Sequence, residues 1–227
     1  SSFLQPLFAG ITLDHQRKER SAFASFTFSA MSHGMMTMPK KGIEAVPQQI
    51  LNRLASTEIM YKTKVASVTK NSIKLEDGTT MKADMIILAT PQHVTQTMLG
   101  TSTELRRKET ATYVFECKES PLKRARLLLN TEYGSDQYKV LHVHVPTLLH
   151  ASEPHLVVAT VIGEDARLHE EQDEQNRIRS ELVDWFGSDV HDWGLVGTTY
   201  VDYALPTGSM TAMGREREQL IQNGIYC

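Results

Sequence analysis

Residues 64–91, with the sequence KVASVTKNSIKLEDGTTMKADMIILATP, constrain the fold more than any other part of the chain. Lys70-Asn71 separates two short alternating strands. Asp77-Gly78 turns the chain again, because these residue types tolerate the positive φ angles of tight hairpin turns. Residues 85–88 form a continuous apolar run, which predicts a strand buried on both faces and parallel to its neighbours. The segment therefore predicts a peripheral meander followed by a central strand that ends in small residues.

Two helices are predicted before this segment. In residues 21–31 apolar side chains recur at helical spacing. Farther along, Pro47 suits the first turn of a helix in which Val46, Ile50 and Leu54 recur every four residues. We expect this apolar stripe to pack the second helix on a sheet.

The second half of the chain predicts an antiparallel sheet, because four strand-like runs with short links follow one another. These runs are residues 110–118, 125–130, 138–145 and 155–162. We also predict a helix near residues 103–108, a long polar helix over 164–186 and a final strand in TTYVDYALP. The predicted fold class combines α/β and α+β structure: an α/β domain with a β-meander, and a largely antiparallel sheet with flanking helices.

The composition excludes several classes of protein. The chain of 227 residues has 24 basic and 27 acidic side chains and a net charge of −3, so nucleic acid is not an expected partner. Two cysteines are too few for a disulfide framework. No apolar run reaches the roughly 18 residues that a transmembrane helix needs. A soluble intracellular protein, of the cytoplasm or an organelle, is favoured, with the compartment left open.

Taken together, MPKKGIEAVPQQILNRLA, KVASV and LEDGTTMKADMIILATP resemble the middle of the flavin-containing amine oxidase superfamily, which includes protoporphyrinogen oxidase and phytoene desaturase. TYVFECKESP, LLLN, HLVVATVIG, VDWFG and YVDYALP then follow in the order of that family. The resemblance implies a two-domain FAD enzyme. Its substrate domain would take residues 1–37 and 101–218, and its FAD-binding domain residues 38–100, with 219–227 as a return strand.

The same resemblance implies which residues contact FAD. The backbone of Val65 would contact the adenine, and Ala89, Thr90 and Pro91 would pass close to the cofactor. Gly42 is the remaining candidate; it lies in PKKG, where the family often has Pro-x-Gly-Gly.

Two motifs of the family are missing from the sequence. The pyrophosphate-binding GxGxxG does not occur, and the chain stops where a Gly-Asp motif would begin. We therefore expect an internal fragment of a longer chain, inactive by itself. In such a fragment the surface around residues 85–89 should expose apolar side chains.

Candidate residues for a substrate pocket come from two clusters. Met36 and Met38 belong to a methionine-rich segment that could line an adaptable apolar pocket or pack in a core. His142 and His144 are two apart, hence on one face of a strand, and could face a substrate, belong to a polar sheet face or begin a metal site. No carboxylate or cysteine accompanies them at metal-like spacing, so we expect no metal.

Two hypotheses of function follow. The first is a fragment of an FAD-dependent oxidoreductase whose parent oxidises a largely apolar small molecule by hydride transfer to flavin; peripheral membrane association of that parent is open. Amine-oxidising members tend to have a lysine where Thr110 and Thr112 stand, which argues against an amine substrate. The second hypothesis is a non-catalytic binding or interaction protein that keeps the substrate-domain sheet without cofactor. No catalytic residue is assigned.

Overall fold

The structure, a computed structural model, describes residues 3–14, 21–35, 37–100, 107–135, 137–149, 154–205, 221–222 and 225–226. The chain divides into two compact units. The first unit takes Ser1–Phe28 and Arg107–Leu205, and the second takes Ser29–Arg106 and Pro206–Cys227. The chain therefore passes from one unit to the other three times.

The described chain contains both helices and strands throughout, as the predicted fold class requires. The helices are α1 (Leu4–Thr12), α2 (Ser21–His33), α3 (Ala45–Leu51), α4 (Gln92–Leu99) and α5 (Gln172–Phe186). The strands are β1 (Val65–Thr69), β2 (Ser72–Leu75), β3 (Thr80–Lys82), β4 (Ile86–Ile87), β5 (Thr110–Cys117), β6 (Leu127–Leu129), β7 (Val140–His144), β8 (His155–Ile162), β9 (Gly194–Val201), β10 (Ile221–Gln222) and β11 (Ile225–Tyr226). Short 3₁₀ turns lie at Pro146–Leu149, Glu164–Leu168 and Ser188–Asp192.

The first unit is built on a five-stranded sheet with the strand order β6-β7-β8-β5-β9. Every neighbouring pair in it is antiparallel, which confirms the predicted antiparallel sheet. β5 lies between β8 and β9. Its eight residues pair with β8 from Thr110↔Ile162 to Cys117↔His155, and residues 110–116 pair with β9 on the other side. Alternate residues of β5 are buried, as a strand with two different faces requires.

One face of this sheet carries the main hydrophobic core. Tyr113 and Phe115 of β5 are completely buried there with Ile178 and Leu182 of α5. The predicted polar helix therefore has an apolar stripe that packs on the sheet. The predicted helix over 164–186 was too long, because the 3₁₀ turn at Glu164–Leu168 is separate and α5 begins at Gln172.

The second unit contains the predicted meander. β1, β2 and β3 form an antiparallel sheet in sequence order, with Thr69↔Ser72 and Ser72↔Lys82 among the paired residues. At the second turn Gly78 has a φ of +89°, and the Asp77 carboxylate accepts a hydrogen bond of 2.8 Å from the backbone N–H of Thr79. Turn chemistry thus sets this register, as the sequence predicted.

The apolar strand after the meander was predicted correctly in direction and wrongly in burial. β4 pairs in parallel with β11, through Ile86↔Ile225 and Tyr226↔Ile87. Ile86 is only 7% exposed, but Ile87 is 69% exposed. Only one face of β4 is covered in the described part of the chain, and the expected exposure of apolar side chains near residues 85–89 is confirmed.

The helix predictions have mixed outcomes. α2 confirms the helix that residues 21–31 predicted. The apolar stripe around α3 does not pack on a sheet in the described structure, because Val46, Ile50 and Leu54 are 44%, 57% and 42% exposed. An apolar stripe predicts that one face of a helix is covered, but it does not predict which element covers that face.

The helix predicted near residues 103–108 lies mostly outside the described residues. At its end the prediction is wrong, because Lys108 forms a parallel bridge with Tyr203 and is therefore extended. The backbone N–H of Ala204 also donates to the carbonyl oxygen of Lys108 at 3.0 Å.

A buried carboxylate joins three segments at one end of the five-stranded sheet. Glu109 is 2% exposed and accepts hydrogen bonds of 2.7 Å from both Nε and Nη2 of Arg167, while the Tyr200 hydroxyl donates at 2.6 Å. Burial alone would raise the pKa of Glu109, but the hydrogen bonds from Arg167 and Tyr200 and the charge of Arg167 hold that pKa below its ordinary value. Glu109 is therefore ionised, and it joins the start of β5 to the 3₁₀ turn after β8 and to β9.

Replacing this carboxylate should destabilise the first unit. For Glu109→Gln we expect the free energy of unfolding to fall by about 2 kcal/mol, because a neutral amide leaves the Arg167 charge uncompensated beside a buried group. Since the folded pKa is depressed, this stabilisation is present above the ordinary carboxyl pKa and is lost as the pH falls through the folded value. Urea unfolding at pH 7 measures the free energy of unfolding of the variant and of the wild type.

The matched control is Glu76→Gln, which removes an ion pair of 2.6 Å between the exposed side chains of Lys64 and Glu76. Exposed pairs stabilise little, so this variant should unfold at the wild-type urea concentration. An equal decrease in the free energy of unfolding of the two variants would contradict the proposed contribution of the Glu109 carboxylate to stability.

Candidate functional site

The turn that precedes α3 offers open backbone in the second unit. Gly42 has a φ of +85°, which favours glycine, and its N–H donates to the carbonyl oxygen of Pro39 at 2.9 Å. A Cβ built on Gly42 would meet no atom within 4 Å. A ligand could therefore approach this backbone closely, even though Lys41 stands where the resembling family often has a second glycine.

Val65 begins β1, the edge strand of the meander. Its pairing with Leu75 is followed by a register shift before Ser67. The side chain of Val65 is half-buried, while the outer edge of β1 has no strand partner in the described sheet. Backbone N–H and C=O groups along such an edge can pair with a ligand.

Residues 89–91 form the turn between β4 and α4. Ala89, Thr90 and Pro91 are all exposed, and Pro91 is the N-cap residue of α4 with an extended ψ of 145°. The hydroxyl groups of Thr90 and Thr95 lie 2.7 Å apart, which ties the turn to the first part of the helix. Because α4 packs beside β1, the structure places this turn and Val65 on two elements that adjoin each other.

His142 and His144 lie on the face of the five-stranded sheet that is opposite α5. The strand register extends this face from His142 across Thr160 and Thr112 to Thr199, one residue from each of four strands. The next row runs from His144 across Val158 and Val114 to Gly197. Residues that pair directly across antiparallel strands point to the same side, so a polar row and an apolar row lie next to each other.

Helix α1 covers one end of this face. Ala9 packs with Leu141 and Ile162, and a Cβ built on Gly10 would lie 3.6 Å from Nδ1 of His142. This is an ordinary van der Waals distance, so α1 packs closely over the His142 ring at Gly10.

Both imidazoles are neutral at physiological pH. Burial, with a smaller contribution from His144, lowers the pKa of His142 to about 4, and burial also lowers the pKa of His144. The two ring centroids are 6.2 Å apart. Among the described residues, Nδ1 of His144 is a buried atom with no hydrogen-bond partner.

The methionine-rich segment is described only in part by the structure. Met38 is exposed, as are Met31 and Met35, so these three do not pack in a core within the described structure. Met36 lies outside the described residues. The assignment of Met36 and Met38 to a substrate pocket stays a prediction, and so do the cofactor contacts of Gly42, Val65, Ala89, Thr90 and Pro91.

Sequence reasoning missed the threonines of the polar row and Gly10. TATYV shows that Thr110 and Thr112 share a face, but the sequence contains no signal for the register that aligns Thr112 with Thr160 and Thr199.

Within the described ranges, no group of three His, Cys, Asp or Glu side chains could hold a metal ion. None of the described helices has both the length and the hydrophobicity of a membrane span.

A family model described as flavin containing amine oxidoreductase matches residues 1–223. The chain belongs to this family. Membership confirms the resemblance that the meander and the following strands indicated. A search of curated protein sequences gives no significant match.

Solved structures show the same fold at low sequence identity. A provisionally assigned protoporphyrinogen oxidase from Exiguobacterium sp. 255-15 is 18% identical with a TM-score of 0.62, and the match covers 82% of this chain and 46% of that one. An oxidoreductase from Methanosarcina mazei is 14% identical with a TM-score of 0.57, covering 73% and 43%. A putrescine oxidase is 15% identical with a TM-score of 0.56, covering 82% and 46%. This flavin-containing amine oxidoreductase chain therefore spans less than half the length of these relatives.

The pKa of His142 gives a direct test of the site geometry. We expect its Cε1–H resonance to titrate near pH 4 rather than near the ordinary value of 6.5, because burial disfavours the imidazolium. Because the pKa of His142 is lower in the folded protein than in the unfolded chain, its neutral ring contributes fully to the free energy of unfolding above pH 6.5. This contribution is lost as the pH falls toward 4. NMR titration of ¹³C-histidine protein measures it, with His142→Asn assigning the resonance; a pKa above 6 would contradict the burial of this ring beneath α1.

Proposed function

We propose that the protein is part of an FAD-dependent oxidoreductase that oxidises a largely apolar small molecule by hydride transfer to flavin. The family match over residues 1–223 carries this proposal. Support for the reaction class comes from the solved relatives, whose names include protoporphyrinogen oxidase and putrescine oxidase. The two compact units, each formed from separated chain segments, are compatible with separate cofactor and substrate domains.

The second unit would hold FAD. Three features fit such a ligand: the open positive-φ turn at Gly42, the edge strand that begins at Val65 and the exposed β4–α4 turn at residues 89–91. Each offers backbone rather than a long side chain, which suits close approach of a planar cofactor. When bound, the flavin supplies the hydride acceptor, and the protein supplies binding, orientation and exclusion of water.

The first unit would hold the substrate on the sheet face that carries His142 and His144. The neighbouring row of Val158 and Val114 gives an apolar surface for a largely apolar molecule. The polar row beside it can orient that molecule through hydroxyl and imidazole groups. In this proposal the chain positions a C–H or C–N bond and contributes no acid–base pair of its own. Peripheral membrane association of the parent enzyme stays a prediction.

The flavin content of the full chain that the reading frame encodes tests this proposal. We expect a yellow protein that absorbs near about 450 nm, as oxidised protein-bound flavin does, and whose flavin is bleached anaerobically by an apolar reductant substrate. Protein that stays colourless after incubation with FAD would contradict the proposal and would favour a binding protein without cofactor.

A pair of glycine substitutions tests the cofactor contact at Gly42. Gly42→Ala and Gly78→Ala place a Cβ at similar φ values of +85° and +89°, and neither Cβ meets an atom within 4 Å. Each should cost about 1 kcal/mol of stability through backbone strain. Only Gly42→Ala should also weaken FAD binding, by about tenfold or more, because its methyl group occupies the approach to the backbone.

The change in flavin fluorescence, followed while FAD is titrated into the apoprotein of the full chain, measures the FAD affinity of each variant. Equal FAD affinity in the two variants would remove Gly42 from the cofactor site, while leaving the family assignment unchanged.

A further inference from the structure

Strand β7 contains one residue more than its neighbour β8 at the point where the candidate substrate face begins. Val140 pairs with Val161 and His142 pairs with Thr160, so Leu141 has no partner on β8. An extra residue of this kind is a β-bulge, which interrupts the ladder and re-aims the side chains that follow it. The register of β7 therefore changes by one residue immediately before His142.

The bulge decides which face of the sheet receives each side chain of β7. In a regular strand consecutive residues point to opposite faces, and so do residues three apart. Here Val140 and Val143 both lie in the main core. A Cβ built on Gly10 of α1 would lie 3.4 Å from Cδ2 of Leu141 and 3.6 Å from Nδ1 of His142, so these two consecutive side chains share the opposite face. Without the bulge, His142 would turn toward the core.

Two buried polar side chains bind the backbone at this bulge. Glu181 of α5 is 4% exposed, and its carboxylate accepts hydrogen bonds from the backbone N–H of Lys139, at 2.9 and 3.0 Å, and of Val140, at 2.8 Å. Nδ2 of Asn130 donates to the carbonyl oxygen of Val140 at 2.9 Å, and the backbone N–H of Asn130 donates to that of Leu141 at 2.9 Å. Side chains therefore satisfy both backbone groups of Val140.

The chemistry of these side chains suits the backbone that they bind. Buried N–H and C=O groups that lack a partner cost free energy, and a bulge removes backbone groups from the ladder. The two oxygens of the Glu181 carboxylate can accept from two adjacent N–H groups. Oδ1 of Asn130 accepts from the backbone N–H of Glu132 at 3.0 Å, which leaves the NH₂ group of Asn130 to donate. The bulged register is thus stabilised by contacts on both sides of the extra residue.

We propose that Glu181 and Asn130 are positioning residues for the candidate substrate face, because they hold the bulge that places His142 and His144 on it. This inference rests on the proposed function, in which that face holds the substrate. Glu181 acts through the backbone of β7, since α5 covers the opposite face of the sheet. A helix that does not touch the substrate face therefore helps to set its geometry.

Two matched substitutions on α5 test the role of Glu181 in the full chain. Glu181→Met keeps a long unbranched side chain and removes both acceptor oxygens. Glu174→Met makes the same change two turns earlier on the helix. Glu174 is 7% exposed, and its Oε1 has no hydrogen-bond partner among the described residues. Both variants lose a buried carboxylate, but only Glu181→Met should change the register of β7.

Nuclear Overhauser effects (NOEs) between backbone protons of facing strands measure this register. The bulge pairs His142 with Thr160, whereas a regular strand would pair it with Ala159. We expect the His142–Thr160 NOE in the wild type and in Glu174→Met, and its loss in Glu181→Met. The ring resonances of the ¹³C-histidine protein should shift for His142 only in Glu181→Met.

The amides at the bulge give a second readout if Glu181→Met does not fold. Glu181→Gln keeps one acceptor oxygen, so hydrogen exchange of the Lys139 or Val140 amide should be at least about tenfold faster than in Glu174→Gln. Equal exchange in these two variants would overturn the inference. So would a wild type without the His142–Thr160 NOE, or a Glu181→Met protein that keeps this NOE.

FAD uptake by the same full chain decides the proposed function separately. A chain that takes up no FAD but loses the β7 register in Glu181→Met would support the role of Glu181 and contradict the oxidoreductase. A yellow chain whose β7 register does not depend on Glu181 would overturn the inference and leave the oxidoreductase proposal in place.

Discussion

The pairing of β5 with two neighbours over nearly its whole length determines the two faces of the sheet in the first unit. Because side chains alternate along a strand, Tyr113 and Phe115 go to the face that α5 covers, and Thr112 and Val114 go to the other. A slip of one residue would exchange the two sets and bury threonine hydroxyls against α5. The continuity of the polar row from His142 and Thr160 to Thr112 and Thr199 depends on this register.

Glu109 supports that register at the end where the chain enters β5. Its ionised carboxylate binds Arg167 and Tyr200, so the start of β5, the 3₁₀ turn after β8 and strand β9 meet at one buried group. The second unit is organised differently. Its meander is set by turn chemistry, and it leaves Ile87 and the stripe around α3 exposed. Such surface is unfavourable in water, and this chain spans less than half the length of the solved relatives.

Local chemistry could be predicted from the sequence where it acts within a few residues. The Asp77-Gly78 turn, the strands of the antiparallel sheet and the parallel direction of β4 follow from turn preferences and apolar runs. What covers each face could not be predicted, because Ile87 and Ile50 have the same hydrophobicity whether a partner is present or not. The extended state of Lys108 depends on its bridge to Tyr203, almost a hundred residues away. The alignment of His142 with three threonines depends likewise on long-range register.

Hydrogen–deuterium exchange of the full chain, with and without FAD, tests most directly whether the second unit binds the cofactor. The account predicts slower exchange of backbone amides in β1, in the β4–α4 turn and around Gly42 when FAD is present, with unchanged exchange in β5 and β8. Protection confined to the five-stranded sheet of the first unit, or flavin binding that protects none of these second-unit segments, would contradict it.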